Sequence, residues 1–332
     1  MAAPSDRTND GGEFVWDLHA SYIFQLDEEK LSLERLMSEQ LRVGAIYWGL
    51  TALDLLGRLT ETHKQRMAEF VLKTKQPDGS FAFNIGHDGH ITSTHYAILI
   101  LLICGKLSEV DLKDTAQWVA SLQNSDGSFR GDKWGEVDTR FSYNALAIAT
   151  LVDALEEIDI DAAAGFVLRC RNHDGGFGSL PGAESHAAYT FCCVSALFLA
   201  ERLDELDFDE LGLWLCQRQT EGGGFNGRPE KAPDVCYSWW ILSALAVIGR
   251  THWVDFEALS GFVLRSQDRE TGGIADRPED LPDVFHTFFG IAALSLMGTV
   301  DGLKSIHPAY AVPHESLEQV GISAVLGTED LR

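Results

Sequence analysis

The chain has 332 residues, with 26 Lys and Arg against 50 Asp and Glu, and therefore a formal net charge of −24. An apolar share of 45% is typical of a globular protein and too high for a disordered chain. The acidity argues against sequence-independent binding to nucleic acid or anionic lipid, which needs Lys and Arg to neutralise phosphates. The longest uncharged apolar runs fall short of the ~20 residues of a spanning helix, so we expect no transmembrane segment.

The first residues, MAAPSDRTNDGGEF, are polar and lack the apolar core of a signal peptide. Six cysteines lie mostly inside apolar helical runs, and none belongs to a C-x-x-C pair. This usage is typical of reduced intracellular thiols. The sequence therefore predicts a cytoplasmic protein in which one or two cysteines at most take part in chemistry.

A Gly-rich phrase recurs along the chain as QPDGSF, QNSDGSF, RNHDGGF, TEGGGF and ETGGI. Its last apolar residue falls at intervals of 48, 48, 48 and 49 residues, at Phe81, Phe129, Phe177, Phe225 and Ile274. A period of this length is typical of repeated supersecondary units. Each phrase follows an amphipathic helical stretch and precedes a Gly- and Pro-rich loop and a second helix that is apolar nearly all round. Each period thus predicts an outer helix, a turn and a buried inner helix.

In chain order, the first predicted element is a lone inner helix over residues 41–56, which precedes the first phrase. Later inner helices begin at residues that are typical helix caps, namely Asp138, Ser185, Asp234 and Asp283. We expect about eleven helices in total. An open superhelix and a closed α/α barrel both fit this order of elements.

The loops between the helices favour the closed barrel, because they are long, rich in Gly and charged, and such loops collect on one face and carry function. The sequence therefore predicts an all-α protein, an α/α barrel of about six helical hairpins built from a repeat of about 48 residues. We expect a single domain over residues 1–332, with irregular polar ends over about 1–20 and 300–332.

Two loops late in the chain are internal homologues, GRPEKAPDVCY over 227–237 and DRPEDLPDVFH over 276–286. The starts of neighbouring inner helices share one rim of a barrel, so Asp234, Cys236 and His286 can converge. One carboxylate, one thiolate and one imidazole with an open fourth position form the ligand set of a catalytic zinc. Spacing alone leaves the alternative of a plain helix cap, a core cysteine and a satisfied polar histidine.

The same rim gathers cations that the composition makes scarce, each at or just before the start of an inner helix: Arg140, His186, Arg228 and Lys231. Helix N-termini favour anions, and Arg with Lys is the usual combination that binds phosphate oxygens. The alternative is that each cation forms a loop ion pair with a nearby carboxylate, Glu230, Glu184 or Asp138. The pattern predicts an anion-binding mouth within an acidic shell.

Four segments carry a resemblance to a known family: GRPEKAPDVCYSWW, PGAESHAAYTFCC, GDKWGEVDTRFSY and PDVFHTFFG. They resemble the β subunits of protein prenyltransferases, most of all that of Rab geranylgeranyltransferase, the type II enzyme. The resemblance spans roughly residues 41–297 and implies an α/α barrel, in agreement with the repeat. It implies a catalytic subunit that transfers the geranylgeranyl group from geranylgeranyl diphosphate to C-terminal cysteines of Rab GTPases. It further implies a heterodimer with an α subunit and an escort protein that presents the Rab.

The resemblance also implies roles for single residues. Asp234, Cys236 and His286 bind one zinc ion, and the diphosphate pocket consists of His186, Arg228, Lys231 and Tyr237. Tyr237 thereby joins the catalytic group, Arg140 is expected at the pocket mouth, and magnesium is expected near Asp276. Gly44 stands where farnesyltransferases have a bulky tryptophan at the pocket floor, which favours the longer geranylgeranyl chain. His95 departs from the family, since related Rab enzymes carry an apolar residue there.

Three other functions fit parts of the pattern. A farnesyl or type I geranylgeranyl β subunit shares the motifs, but Gly44 and the GRPEK-x-PDVC loop argue against it. A class II terpene cyclase shares the barrel and the Gly-rich phrases, yet it needs a D-x-D-D motif, and the nearest segment here, 159–162, reads DIDA. A non-catalytic helical scaffold predicts that no metal is bound.

Overall fold

The computed structural model describes residues 12–28 and 38–322. Within them the chain forms thirteen α-helices and five short 3-10 helices, with isolated backbone bridges in the loops. Six inner helices are α2 (Arg42–Leu55), α4 (Ile91–Ile103), α6 (Thr139–Leu151), α8 (Ala187–Leu199), α10 (Val235–Val247) and α12 (Val284–Met297). Six outer helices are α1 (Trp16–Glu28), α3 (Glu61–Leu72), α5 (Lys113–Ser121), α7 (Ile160–Arg169), α9 (Phe208–Cys216) and α11 (Phe256–Arg265). The short α13 (His314–Glu318) follows near the end.

The difference between inner and outer helices follows from their apolar patterns. Helix α4 buries eleven of its thirteen residues, because helices α2, α3, α6 and α13 pack against it. Helix α3 begins with six polar residues, over 61–66, and buries only Met67, Ala68 and Val71. None of the helices in the described part of the chain combines the length and apolar character that a membrane span requires.

The six inner helices form a closed ring. Each one packs against the next, and α12 packs against α2, which returns the ring to its beginning. The prediction of an α/α barrel of six hairpins is therefore confirmed. Helix α1 supplies the outer partner that the sequence pattern did not predict for the first inner helix. Helix α1 lies where the outer helix of a further repeat would lie, against the last Gly-rich phrase. A Cβ on Gly272, whose φ is +82°, would lie 2.1 Å from the carbonyl oxygen of Leu18 in α1.

Neighbouring hairpins are joined at the rim by one repeated hydrogen bond. The first backbone N–H of an inner helix donates to a carbonyl in the following loop, at 2.8 Å from Ala187 to Gly227 and at 2.7 Å from Val235 to Asp276. The same bond joins Ile91 to Gly131. Because of it, the caps of these inner helices lie beside the next Gly-rich loop, and residues far apart in sequence meet along the rim.

Three of the four predicted helix caps agree with the structure. Side-chain oxygens of Asp138, Asp234 and Asp283 accept from the first-turn backbone N–H groups. The prediction of Ser185 is wrong, because its hydroxyl donates instead to Asp174 at 2.7 Å. The cap of α8 is His186, whose Nδ1 accepts from the backbone N–H of Ala188. An imidazole nitrogen can cap a helix as a carboxylate does, although propensity tables favour Ser, Asp and Asn.

The segment after α12 closes the end of the barrel opposite the rim. Residues 306–312 were expected to belong to a polar end, yet Ile306, Ala309 and Val312 are buried. Three inner helices bind this segment through side-chain hydroxyls: Tyr47 donates to the carbonyl of Ala311, Tyr143 to that of Ala309 and Ser243 to that of Pro308, at 2.6, 2.7 and 2.6 Å. Residues 16–20 of the expected irregular N-terminal end belong to helix α1. Residues 1–11 and 323–332 of the expected ends lie outside the described residues.

Candidate metal and diphosphate site

The structure brings the three predicted metal ligands together at the rim. Oδ1 of Asp234 lies 3.3 Å from Nε2 of His286, and the potential ligand atoms of Asp234, Cys236 and His286 all lie within 4.8 Å of one another. Asp234 is the cap of α10 and has extended backbone angles, so its side chain turns back to accept from the Cys236 N–H at 2.8 Å. This geometry lets two residues that are two apart in sequence face the same point.

A fourth residue orients the histidine. The carboxylate of Asp283 lies 2.6 Å from Nδ1 of His286 and also caps its helix by accepting from the His286 N–H at 2.9 Å. Hydrogen bonding at Nδ1 directs Nε2 towards Asp234, as in metal sites whose histidine ligands are held by a carboxylate. The sequence pattern predicts only a capping role for Asp283. Its position three residues before His286, at the start of a helix, is the sequence feature that indicates this contact.

The charges in this cluster suit a divalent cation. Burial acts to lower the pKa of His286, but its hydrogen bonds to Asp234 and Asp283 outweigh it and raise the pKa to about 9. Burial acts to raise the pKa of Asp234, but the hydrogen bonds from His286 and Cys236 outweigh it and leave this pKa below its usual range. Burial, together with the Asp234 charge, raises the pKa of the Cys236 thiol. The donor set of O, S and N fits zinc, whose charge would offset that of the carboxylate and of a thiolate.

His186 and Tyr237 form a hydrogen-bonded pair beside the cluster. Nδ1 of His186 accepts from the backbone N–H of Ala188 at 3.2 Å, so the ring proton is on Nε2. Nε2 lies 3.2 Å from the Tyr237 hydroxyl oxygen and donates to it, which leaves the hydroxyl proton free for an anion. Burial and the nearby Arg228 lower the pKa of His186, so the prediction that His186 is a cation is wrong. It is a neutral donor.

Tyr237 places this pair next to the metal cluster. It lies one turn into α10, three residues after Asp234, and burial followed by the charges of Cys236 and Asp234 raises its pKa to about 12. Its ring covers the Gly-rich loop that carries Arg228, since a Cβ on Gly227 would lie 2.3 Å from the ring. Only glycine therefore allows the loop and the ring to approach so closely.

The predicted cations are divided between paired and unpaired residues. The guanidinium of Arg228 pairs with Glu184, and that of Arg140 pairs with Asp138. The alternative of local ion pairs therefore holds for both arginines. Among the residues that the structure describes, Lys231 makes no ion pair; its backbone carbonyl accepts from Asn226 at 3.0 Å.

Arg140 belongs to the same part of the rim through aromatic contacts. Its guanidinium lies 5.9 Å from the ring centre of Tyr189, and that ring lies 5.5 Å from the ring of His186. The sequence predicts no role for Tyr189, and for Glu184 only that of an ion-pair partner. A line of contacts therefore runs along the rim from Arg140 through Tyr189 and His186 to Tyr237.

The remaining predicted residues lie further from this cluster or are already paired. Asp276 lies beside Asp234, because its carbonyl accepts from the N–H of Val235, and its carboxylate binds Arg277 at 2.7 Å. Gly44 lies on α2 against Tyr96. His95 is buried, and burial lowers its pKa to about 4, so its imidazole is neutral.

Comparison with known proteins agrees with this fold. Residues 14–312 match the family described as Prenyltransferase alpha-alpha toroid domain. Over 89 residues the chain is 46% identical to geranylgeranyl transferase type-2 subunit beta 1 of Arabidopsis thaliana, and over 93 residues it is 46% identical to a probable type-2 subunit beta of Caenorhabditis elegans. These matches cover 27% and 28% of this chain and 28% of each relative, so they span little more than a quarter of the relatives' length.

Solved structures show the same barrel. A Candida albicans protein geranylgeranyltransferase-I complexed with GGPP has a TM-score of 0.85 at 24% identity, over 97% of this chain and all of that one. The type II terpene cyclase MstE from Scytonema has a TM-score of 0.61 at 12% identity, over 84% of this chain and 95% of that one. At these identities the likeness is one of fold alone. With the family match over residues 14–312, the chain belongs to the prenyltransferase alpha-alpha toroid family.

Proposed function

We propose that the chain is the catalytic β subunit of a zinc-dependent type II protein geranylgeranyltransferase. It transfers the geranylgeranyl group from geranylgeranyl diphosphate to C-terminal cysteine thiols of Rab GTPases. The observation that carries this proposal is the juxtaposition of two groups: the donors of Asp234, Cys236 and His286 lie next to the His186–Tyr237 pair. The relatives named as type-2 β subunits support the same function.

The first group serves the thiol. Asp234, Cys236 and His286 would hold the zinc ion, and Asp283 keeps the His286 ring in place. A bound zinc ion keeps a substrate cysteine as the thiolate, the nucleophilic form of the thiol. Cys236 is itself a ligand and not the nucleophile, because it is buried and its thiol pKa is raised.

The second group serves the leaving diphosphate. The acceptor sulfur bonds to C1 of the lipid while the bond from C1 to the diphosphate oxygen breaks, and negative charge builds up on that oxygen. The free hydroxyl proton of Tyr237 and the charges of Arg228 and Lys231 stabilise it. His186 acts as a neutral donor to Tyr237 and fixes the hydroxyl's orientation. Asp276, which is beside Asp234, is the residue that we propose for magnesium.

The proposal includes partners. The relatives are named as β subunits, which supports a heterodimer with an α subunit. We further propose that an escort protein presents the Rab GTPase and that the enzyme works in the cytoplasm, where its six free cysteines would stay reduced.

The experiment is a transfer assay on the chain co-expressed with an α subunit, read by mass spectrometry of an escort-bound Rab. Asp234→Ala is expected to abolish transfer while lipid diphosphate binding persists. Arg228→Ala combined with Lys231→Ala is expected to weaken diphosphate binding severalfold and to slow transfer. Arg265→Ala combined with Lys113→Ala removes the same charges from outer helices and should change neither. The separation of roles is wrong if both site variants lose binding and transfer to the same extent while remaining folded.

A further inference from the structure

The side chain of Asn226 lies across the base of the loop that carries Arg228 and Lys231. Its Nδ2 donates to the carbonyl oxygen of Lys231 at 3.0 Å. Because a carbonyl can only accept, the amide nitrogen and not the amide oxygen faces it. The backbone of Asn226 is itself fixed, since its N–H donates at 3.0 Å to the carbonyl of Arg218, just after outer helix α9. One side chain therefore connects the Lys231 backbone to the body of the barrel.

The turn that leads to Lys231 is weak on its own. Residues 228–231 are closed by a long hydrogen bond of 3.4 Å, from the Lys231 N–H to the Arg228 carbonyl. The third residue of the turn, Glu230, has a φ of +64°, a left-handed value that is unfavourable for a residue with a Cβ. The hydrogen bond from Asn226 is a further contact that fixes the Lys231 end of this turn.

The homologous loop after the last Gly-rich phrase has the same turn but a different anchor. There Ala275 stands in the place of Asn226. Asp280, in the place of Lys231, binds the guanidinium of Arg277 at 3.2 Å within the turn itself. A lysine at this position cannot form that ion pair with an arginine, because both side chains are cations. The amide anchor therefore occurs in the loop whose turn ends in a lysine.

The anchor contributes little to the stability of the fold. Among the residues that the structure describes, Oδ1 of Asn226 is buried and has no hydrogen-bond partner. An unpaired buried oxygen costs at least as much free energy as a single hydrogen bond contributes. Ala275 at the equivalent place also indicates that this backbone requires no amide side chain. The effect of Asn226 is therefore on the position of Lys231 more than on folding.

Position matters for Lys231 because its side chain is long and enters no ion pair with any residue that the structure describes. Arg228, in contrast, is held by Glu184. A flexible lysine loses conformational freedom when it binds an anion, and a fixed backbone reduces that loss. We propose that Asn226 is a positioning residue, which holds Lys231 at the diphosphate site through the hydrogen bond from its side-chain amide. This inference rests on the proposed function and deepens it.

The test is a double-mutant cycle on the heterodimer, with Kd for geranylgeranyl diphosphate and the KM values of the lipid and of the Rab. Asn226→Ala should raise the lipid Kd about three- to tenfold, the size expected for one hydrogen bond, and leave the Rab KM within about twofold. In the Lys231→Ala background the same substitution should change the lipid Kd by less than about twofold. In the Arg228→Ala background it should retain its full effect.

Two controls separate positioning from a general loss of structure. Asn84→Ala removes an amide that donates to the backbone carbonyl of Glu39 at 3.2 Å, in an equivalent rim loop, and should change neither Kd nor KM. Thermal unfolding of Asn226→Ala should keep its Tm within about 2 °C of the wild type. A lower Tm together with equal effects of Asn226→Ala in all backgrounds would mean a general structural role and overturn the proposal.

The inference and the proposed function fail in different ways. If the wild type transfers the prenyl group and Asn226→Ala binds the lipid as tightly as the wild type, the role of Asn226 is wrong and the proposed function stands. If the wild type transfers no prenyl group to a Rab, the proposed function is wrong, and the same cycle with inorganic diphosphate decides the role of Asn226. An absence of binding to inorganic diphosphate then overturns the inference as well.

Discussion

Replacing Asp283 by Asn tests how much the orientation of His286 contributes to the metal site. Asn keeps a side-chain oxygen that accepts from the His286 N–H, so the helix cap is retained. It loses the negative charge that faces Nδ1 at 2.6 Å. Removing a carboxylate partner of a ligating histidine typically lowers metal affinity by about 10- to 100-fold, or about 1.4 to 2.7 kcal/mol. We expect a loss of that size for Asp283→Asn.

The assay is competition for zinc with a chromophoric chelator at constant pH. The matched control is Asp255→Asn, which makes the same substitution far from the rim. Asp255 caps the outer helix α11 by accepting from the N–H of Ala258. Its zinc affinity should equal that of the wild type. An unchanged affinity in Asp283→Asn would refute the reasoning, because the His286 ring would then need no carboxylate to direct Nε2 towards Asp234.

Further predictions concern the anion site, the pH dependence and the closure of the barrel. Glu184→Gln frees Arg228 from an exposed ion pair worth at most about 1 kcal/mol, so steady-state kinetics should show a KM for the lipid diphosphate up to about fivefold lower, with kcat unchanged. The pKa of His286 is raised to about 9, so this group stabilises chelator-treated protein fully below pH 6.5, and that contribution is lost as the pH rises through 9. The free energy of unfolding should fall by about 3 kcal/mol at most over this range, and urea unfolding of His286→Gln should lack that loss. Gly272→Ala should lower the free energy of unfolding by at least about 2 kcal/mol because of its contact with the N-terminal helix, whereas Gly57→Ala, also at positive φ but in open space, should cost only about 1 kcal/mol. Equal losses in the two glycine variants would contradict the closure by that helix.

The barrel could be predicted because its repeat consists of residues that tolerate little substitution. Phe81, Phe129, Phe177 and Phe225 are fully buried at equivalent places, and a buried aromatic in a tight turn tolerates little change. Helix α1 escaped prediction because no Gly-rich phrase follows it in the chain. Its equivalence to the other outer helices becomes visible only when the ring closes on Gly272.

The metal cluster could be predicted because a barrel brings the starts of neighbouring helices together, so Asp234 and His286 converge from loops about fifty residues apart. The hydrogen bonds that decide protonation were not predictable in the same way. The backbone N–H of Ala188 makes Nδ1 of His186 an acceptor, and no spacing rule indicates that. The neutral state of His186 follows from this bond and from burial.

The lining of the barrel shows a third limit. Gly44 was interpreted from its own size, but the free space beside a residue depends on the rotamers of residues on adjacent helices. Tyr96, which lies on the next inner helix, fills that space. A pattern within one helix contains no information on which neighbouring ring will occupy a gap between two helices.

The most direct test of the central claim is the zinc content of the purified heterodimer, measured by inductively coupled plasma mass spectrometry. The arrangement of Asp234, Cys236 and His286 predicts about one zinc per β chain in the wild type and a loss of most of it in Cys236→Ala. Cys170→Ala removes a thiol that is buried elsewhere in the barrel and should retain the zinc. A wild-type protein without zinc, or equal zinc in wild type and Cys236→Ala, would contradict the account.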